Sequence, residues 1–200
     1  VTIAKPGVAL KALRERNRWT LADVNKKTGI PASTLSRIEN DQVSPTYDML
    51  GKLSAGLGID LTELLSIDNE PLPAVAEQPG RRSINRIGDG QTIELAHHTL
   101  SYLSNDLLHK HITPIISEYR ATSLQEFGEF MRHPGEEFLY VIEGELELHT
   151  ECYAPTRLKA GESAYFDSRM GHAYIAATQP CRALSVCTFP EGFEEAAARS

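Results

Sequence analysis

Between residues 8 and 65 apolar side chains recur every three or four positions. Val8, Leu10 and Leu13 open the series, and Leu21, Val24 and Thr28 follow. Leu35 and Ile38, then Met49, Leu50, Leu53 and Leu57, then Leu61, Leu64 and Leu65 complete it. This is the period of amphipathic helices. Start signals fall at the breaks: Thr20 precedes Leu21 with Asp23 three residues on, Pro45-Thr46 leads to Asp48, and Asp60 is followed by Glu63. Each is a side chain able to satisfy the free amides of a first helical turn. Gly29 and Gly58 stand where helices should stop. The pattern predicts five short helices around a small core.

Near Ser66 the pattern ends. Residues 68–80 hold three prolines, a glycine and several charges, the make-up of an exposed joint. Beyond it come short runs rich in Ile, Val, Tyr and Phe: Gln91–Leu95, His111–Ala121, Glu137–Ile142, Glu145–Thr150, Ser163–Phe166, Ala173–Ala177 and Ala183–Phe189. Turn pairs such as Glu143-Gly144 and Ala160-Gly161 punctuate them. Many short strands with regular turns predict a sandwich or barrel. The expected fold class is thus α + β multidomain: a helical domain over residues 1–66, a linker over 67–81 and a β-barrel domain over 82–200. At the far end, residues 194–200 read as a short helix.

Composition alters this picture only through charge. The net charge is −7, but residues 1–66 carry nine Lys or Arg against seven Asp or Glu, and the remainder eleven against twenty. Salt screens charges more than about 8–10 Å apart, so the local face decides what is bound, and the front half is the part suited to phosphates. No apolar run approaches the roughly 20 residues a bilayer needs, so no membrane partner is expected. The first residues lack the apolar core of a secretory signal. Three cysteines, Cys152, Cys181 and Cys187, show no Cys-x-x-Cys spacing. A reducing, cytoplasmic setting is the simplest that suits them.

Leu21–Asn40 has the layout of a helix-turn-helix. Gly29 permits the left-handed turn, and Ile30, Leu35 and Ile38 bury one side of the second helix. Ala32, Ser33, Thr34, Ser36, Arg37 and Asn40 are left facing outward, small enough to enter a major groove and polar enough to contact bases and phosphates. The run from Thr28 to Asn40, followed by Ser44-Pro45-Thr46, closely resembles the XRE family of phage-repressor-like regulators, over residues 7–65. The resemblance implies a five-helix lambda-repressor-like DNA-binding domain and a double-stranded DNA operator as partner. Two positions depart from the family: Leu21 replaces a frequent Gln, and Asn25 replaces a small residue at the helix crossing. The first implies fewer phosphate contacts. The second implies looser packing unless the amide points outward. A helical domain that binds protein is the competing reading.

Met131-Arg-His-Pro-Gly-Glu-Glu137, running on to Gly144, resembles the first motif of the cupin superfamily. Gly161, Asp167 and His172 fit the second, with Asp167 and Arg169 in place of its Pro and Gly. The resemblance spans about residues 82–190 and implies a C-terminal β-barrel of cupin (jelly-roll) type. Family metal ligands carried over residue by residue fall on Met131, His133, Glu137 and His172, so the first ligand has become a weak thioether donor. What remains, His133, Glu137 and His172, could hold a divalent metal ion such as Zn, Mn, Fe or Ni, or could line a metal-free pocket for an organic ligand. Met131 and Tyr174 are counted with that pocket. Alternation leaves Tyr165, Tyr174 and Cys187 as either pocket walls or core, and the set Thr113, Ile115, Ser117 and Tyr119 as either inward or outward. His97, His98, His109 and His149 carry no motif.

Together the two resemblances imply a transcriptional regulator, not an enzyme. It would be a homodimer whose cupin domain senses a small-molecule effector and modulates operator binding. The alternative is a metal-dependent cupin enzyme with an attached DNA-binding domain. A protein-interaction module would leave the β-rich half without a task.

Overall fold

The computed structural model describes residues 2, 3, 5–65 and 80–188. The expected linker over 67–81, apart from residues 80 and 81, and the helix over 194–200 lie outside these residues. The chain divides into two compact units.

The first unit holds the five expected helices: α1 (Pro6–Arg16), α2 (Leu21–Thr28), α3 (Ala32–Glu39), α4 (Tyr47–Leu57) and α5 (Leu61–Leu65). Their caps follow local chemistry. Thr20 and Asp23 form a reciprocal capping box on α2, and the Thr46 hydroxyl accepts from the Met49 amide at the head of α4. Asp60 accepts from the Thr62 amide while the Glu63 carboxylate accepts from the Asp60 amide. Gly29 closes α2 at φ 71°, a conformation that disfavours a side chain. Leu10, Val24, Leu35, Ile38, Leu50, Leu53, Leu64 and Leu65 are fully buried. Val8, expected on the buried stripe, is 45% exposed. The reason is close approach: a Cβ on Gly7 would lie 2.0 Å from the Ile38 carbonyl oxygen, so α1 meets α3 along Gly7 and turns Val8 outward.

Beside the helices, β1 (Thr2–Ile3) pairs in parallel with β2 (Gln91–Glu94). Residues 82–93 and 104–110, which the sequence groups with the β-rich part, also belong to this unit. The 104–110 segment is tied to α5. The His109 amide donates to Asp60 Oδ2 at 2.6 Å, and Lys110 reaches the Thr62 hydroxyl at 3.3 Å.

The second unit contains β3 (His98–Tyr102), β4 (Ile112–Tyr119), α6 (Leu124–Phe127), β5 (Glu136–Glu143), β6 (Glu145–Thr150), β7 (Thr156–Lys159), β8 (Ser163–Asp167), β9 (His172–Ala176) and β10 (Arg182–Thr188). One antiparallel sheet runs β3-β4-β10-β5-β8, and the other β7-β6-β9. Leu139 and Val141 of the first sheet join Leu146, Leu148, Leu158, Tyr174 and Ala176 of the second in one core. This is the expected β-barrel architecture. Thr113, Ile115, Ser117 and Tyr119 are the inward set of β4. Tyr165 is 65% exposed and so forms no pocket wall, because it shares the outward phase of β8. Two strands of this unit, like β1 of the first, had no expectation. β3 places His98 in its buried phase, which hides the alternation, and β7 is a four-residue segment with a single apolar side chain, Leu158, paired on one side only among the described residues.

Candidate functional site

Two places in the chain gather polar groups that the fold does not consume. The first is the outer face of α3. Ser33, Arg37 and Asn40 are exposed, and Ala32, Thr34 and Ser36 are half-buried. The Asn40 amide donates to the Ser36 carbonyl at 2.8 Å, which leaves its oxygen and its second N–H for another partner. Asn25 does not loosen the turn. Its amide donates to the Ile30 carbonyl at 2.8 Å and bridges α2 to the segment leading into α3. At the other end of α3, Arg14 of α1 grips Glu39 with two bonds, Nε to Oε1 at 2.7 Å and Nη2 to Oε2 at 2.8 Å, while Nη1 donates to the Trp19 carbonyl at 3.2 Å. A two-pronged bond fixes orientation as well as distance, so this pair sets the pose of α3 on α1. Sequence reasoning had not identified it, since 25 residues separate the partners.

The second place is the inside of the barrel. Glu137 projects inward from β5, Tyr174 and His172 from β9, and Cys187 from β10. His133 stands just before β5, its amide donating to the Ser168 carbonyl at 3.0 Å. The turn between His133 and Glu137 depends on Gly135, at φ 97°, where a Cβ would fall 2.0 Å from the Thr188 carbonyl oxygen. No other residue fits there, and the turn returns both side chains to the same space. His133, Glu137 and His172 are each at most 5% exposed.

Glu137 is the hub. Its Oε1 accepts from the Tyr174 hydroxyl at 2.5 Å, and its Oε2 lies 3.2 Å from His133 Nε2 and 3.8 Å from His172 Nε2. Burial pushes the Glu137 carboxyl up, but the His133 hydrogen bond, the two imidazoles and the Tyr174 hydroxyl outweigh it and hold the group below the usual carboxylate range. Burial also pushes His172 down, with Glu137 countering only in part, and drives the Tyr174 hydroxyl far up.

His172 has a specific defect. Nδ1 donates to the Met170 carbonyl at 2.9 Å, which leaves Nε2 as the lone-pair atom. That atom is buried, has no hydrogen-bond partner and faces the carboxylate oxygen. A buried lone pair beside a carboxylate oxygen is unfavourable unless the imidazole takes up a proton or a cation or a ligand proton lies against it. His133, Glu137 and Cys187 bring donor atoms within 4.8 Å of one another, so the chemistry of the set suits a metal ion. Met131 exchanges both backbone bonds with His172, at 2.8 and 3.0 Å, and its side chain packs on the apolar core.

Of the residues read from the sequence, His133, His172 and Tyr174 meet Glu137 through their side chains, whereas Met131 reaches the group only through its backbone bonds to His172. Two others had not been singled out as binding residues. Cys187 stands directly opposite Glu137 in the β10–β5 register. His98 is 7% exposed with no partner on either ring nitrogen, and its ring stacks on Phe127 and tilts against Tyr119, which in turn contacts Tyr174. Alternation leaves Cys187 open as either pocket wall or core. No local signal marks His98.

Comparison with known proteins matches both parts. The helix-turn-helix family matches residues 10–64, and the cupin domain family matches residues 124–187. The chain is 27% identical over 184 residues to the HTH-type transcriptional regulator PuuR of Escherichia coli, covering 92% of this chain and 94% of that protein. The HTH-type transcriptional regulator SutR of Escherichia coli is 32% identical over 66 residues, 33% of this chain and 37% of that one. Among solved structures, an HTH_3 family transcriptional regulator from Vibrio cholerae shares the fold, with a TM-score of 0.59 and 19% identity over 94% of this chain and 97% of that one.

Proposed function

We infer, for a chain that belongs to the XRE-type helix-turn-helix regulators with a C-terminal cupin domain, a one-component transcriptional regulator. Its α3 reads an operator in double-stranded DNA, and its barrel pocket binds a small effector that changes this grip. The carrying observation is the exposed, small and polar face of α3, with Arg37 free of any ion pair among the described residues and the helix held in pose by Arg14 and Glu39. Ala32, Ser33, Thr34, Ser36, Arg37 and Asn40 make the DNA contacts. PuuR matches along nearly its whole length and bears a regulator's name, which supports the same reading.

Met131, His133, Glu137, His172 and Tyr174 form the effector pocket. His133, Glu137 and His172 would hold a divalent metal ion, whose contribution when bound is a positive charge that neutralises the buried carboxylate. The pocket suits binding better than turnover: Tyr174 already occupies one Glu137 oxygen, and burial holds Tyr174 and Tyr119 protonated. Coupling requires only that the effector favour one of two states of the DNA-binding part.

The working form is a homodimer, since one short helix reads few bases. The outer face of the five-stranded sheet supports this. Tyr165, Phe138 and Val186 stand side by side in one row and Tyr140 and Leu184 in the next. Phe138 and Tyr140 are 38% and 40% exposed, a contiguous apolar patch of the kind that marks interfaces.

The test is a mobility shift of the purified chain on DNA upstream of its own gene, with unrelated DNA as competitor. Retardation that unrelated DNA fails to compete away is expected. Binding that unrelated DNA abolishes at equal concentration would overturn the operator reading.

A further inference from the structure

We propose that Cys187 supplies a thiolate ligand to a metal in the barrel, so that this chain binds a zinc-type, sulfur-tolerant cation through His133, Glu137, His172 and Cys187. The proposal rests on the reading of the pocket as a binding site, and it names the ion class and a ligand from a strand outside both cupin motifs.

Register places the sulfur. Cys187 is the cross-strand partner of Glu137, both residues face inward, and directly opposed side chains have Cβ atoms about 4.5–5.5 Å apart. Cys187 is 2% exposed, and its Sγ lies within 4.8 Å of the donor atoms of both His133 and Glu137. The spacing around the carboxylate approaches a coordination sphere, and the sulfur, within 4.8 Å, would draw in on the ion. A tetrahedral ion with bonds of about 2.0–2.3 Å holds its donors roughly 3.3–3.7 Å apart. Around Glu137 Oε2 the nitrogens stand at 3.2 and 3.8 Å.

Donor chemistry points the same way. Tyr174 engages Glu137 Oε1, leaving Oε2 as a single-oxygen ligand. The Met170 carbonyl fixes the His172 tautomer, and the partnerless lone pair of Nε2 is what a cation would satisfy. Met131, at the position of the missing family ligand, packs its thioether into the apolar cluster. Cys187 replaces that donor from another strand. Two nitrogens, one oxygen and one sulfur make four ligands, a set suited to zinc and its surrogate cobalt and poorly suited to magnesium or manganese.

Cobalt(II) added alone to chelator-treated full-length protein is the direct probe, because a cobalt–thiolate bond absorbs in the near ultraviolet. Wild type and C152S should both develop this band and saturate at one cobalt per chain. C187S should lack the band and bind at least tenfold more weakly, and adding M131H to C187S should recover affinity without the band. Should C187S fail to fold, zinc-edge X-ray absorption of wild type answers the same question, through one sulfur neighbour at about 2.3 Å. Stoichiometric metal with no sulfur signal, or no stoichiometric metal at all, would overturn the proposal. Protein that shifts its operator yet takes up no cobalt would sink this inference and leave the regulator reading standing.

Discussion

Acidification should destabilise the β-rich unit through one side chain, His98. Its ring is 7% exposed, stacked on Phe127 with centroids 6.0 Å apart, and neither nitrogen has a partner. Burial, reinforced by the charges of Arg120 and His97, pushes its pKa down from 6.5 to about 4. The folded protein therefore keeps His98 neutral where the unfolded chain takes up a proton. The stability this neutral ring contributes is fully present above about pH 6.5 and is lost as pH falls toward 4. At 1.36 kcal/mol per pKa unit the complete loss is about 3 kcal/mol, of which about 2.5 kcal/mol is gone by roughly pH 4.5. The assay is urea unfolding of wild type and His98→Leu at about pH 7.5 and about pH 4.5. Near-ultraviolet dichroism would follow the buried tyrosines of the barrel, since the single tryptophan, Trp19, reports only the helical unit. Other carboxylates and histidines titrate in both proteins, so the difference between them isolates His98. The variant should lose about 2.5 kcal/mol less than wild type across this interval. Parallel pH dependence in the two proteins would refute the reasoning and would mean that the ring is solvated or partnered.

On the DNA side, Arg37→Ala should weaken operator binding by about 1–3 kcal/mol and leave the unfolding midpoint of the helical unit unchanged, as read by titrated mobility shifts and Trp19 fluorescence. Unchanged affinity in the folded variant would remove Arg37 from the interface. Arg14→Leu leaves the Glu39 carboxylate, 5% exposed, without its clamp, and should lower stability of the helical unit by about 2–4 kcal/mol. Glu39→Gln should do less harm, and the order of the two, measured by urea titration, checks the geometry. Phe138→Glu with Tyr140→Glu should convert a homodimer to monomers in light scattering without unfolding the barrel. A variant that stays dimeric would place the contact elsewhere.

Much of this protein is written in short stretches of its sequence. The five helices follow from apolar positions three and four apart, and their ends follow from Thr20 with Asp23, Asp60 with Glu63, and Gly29. These are interactions within a single turn of chain, and so they appear as motifs. The outward face of α3 is legible for the same reason, as is the nearness of His133 and Glu137, which one glycine turn delivers to the same space. Burial of Leu139, Val141, Ala183 and Ser185 follows from alternation. Tertiary structure alone decided which distant residues meet. Arg14 finds Glu39 because Gly7 lets α1 come close to α3, and that same approach turns Val8 out to solvent. Cys187 faces Glu137 because β10 enters between β4 and β5 in a register that no local pattern encodes. His98 is buried because its strand pairs with β4, and a strand of such mixed polarity carries no periodic signal of its own. Local backbone chemistry repeats with the period of a helix or strand and can be read along the chain. Registers and helix crossings are set by how whole surfaces fit, and they come into being only when those surfaces meet.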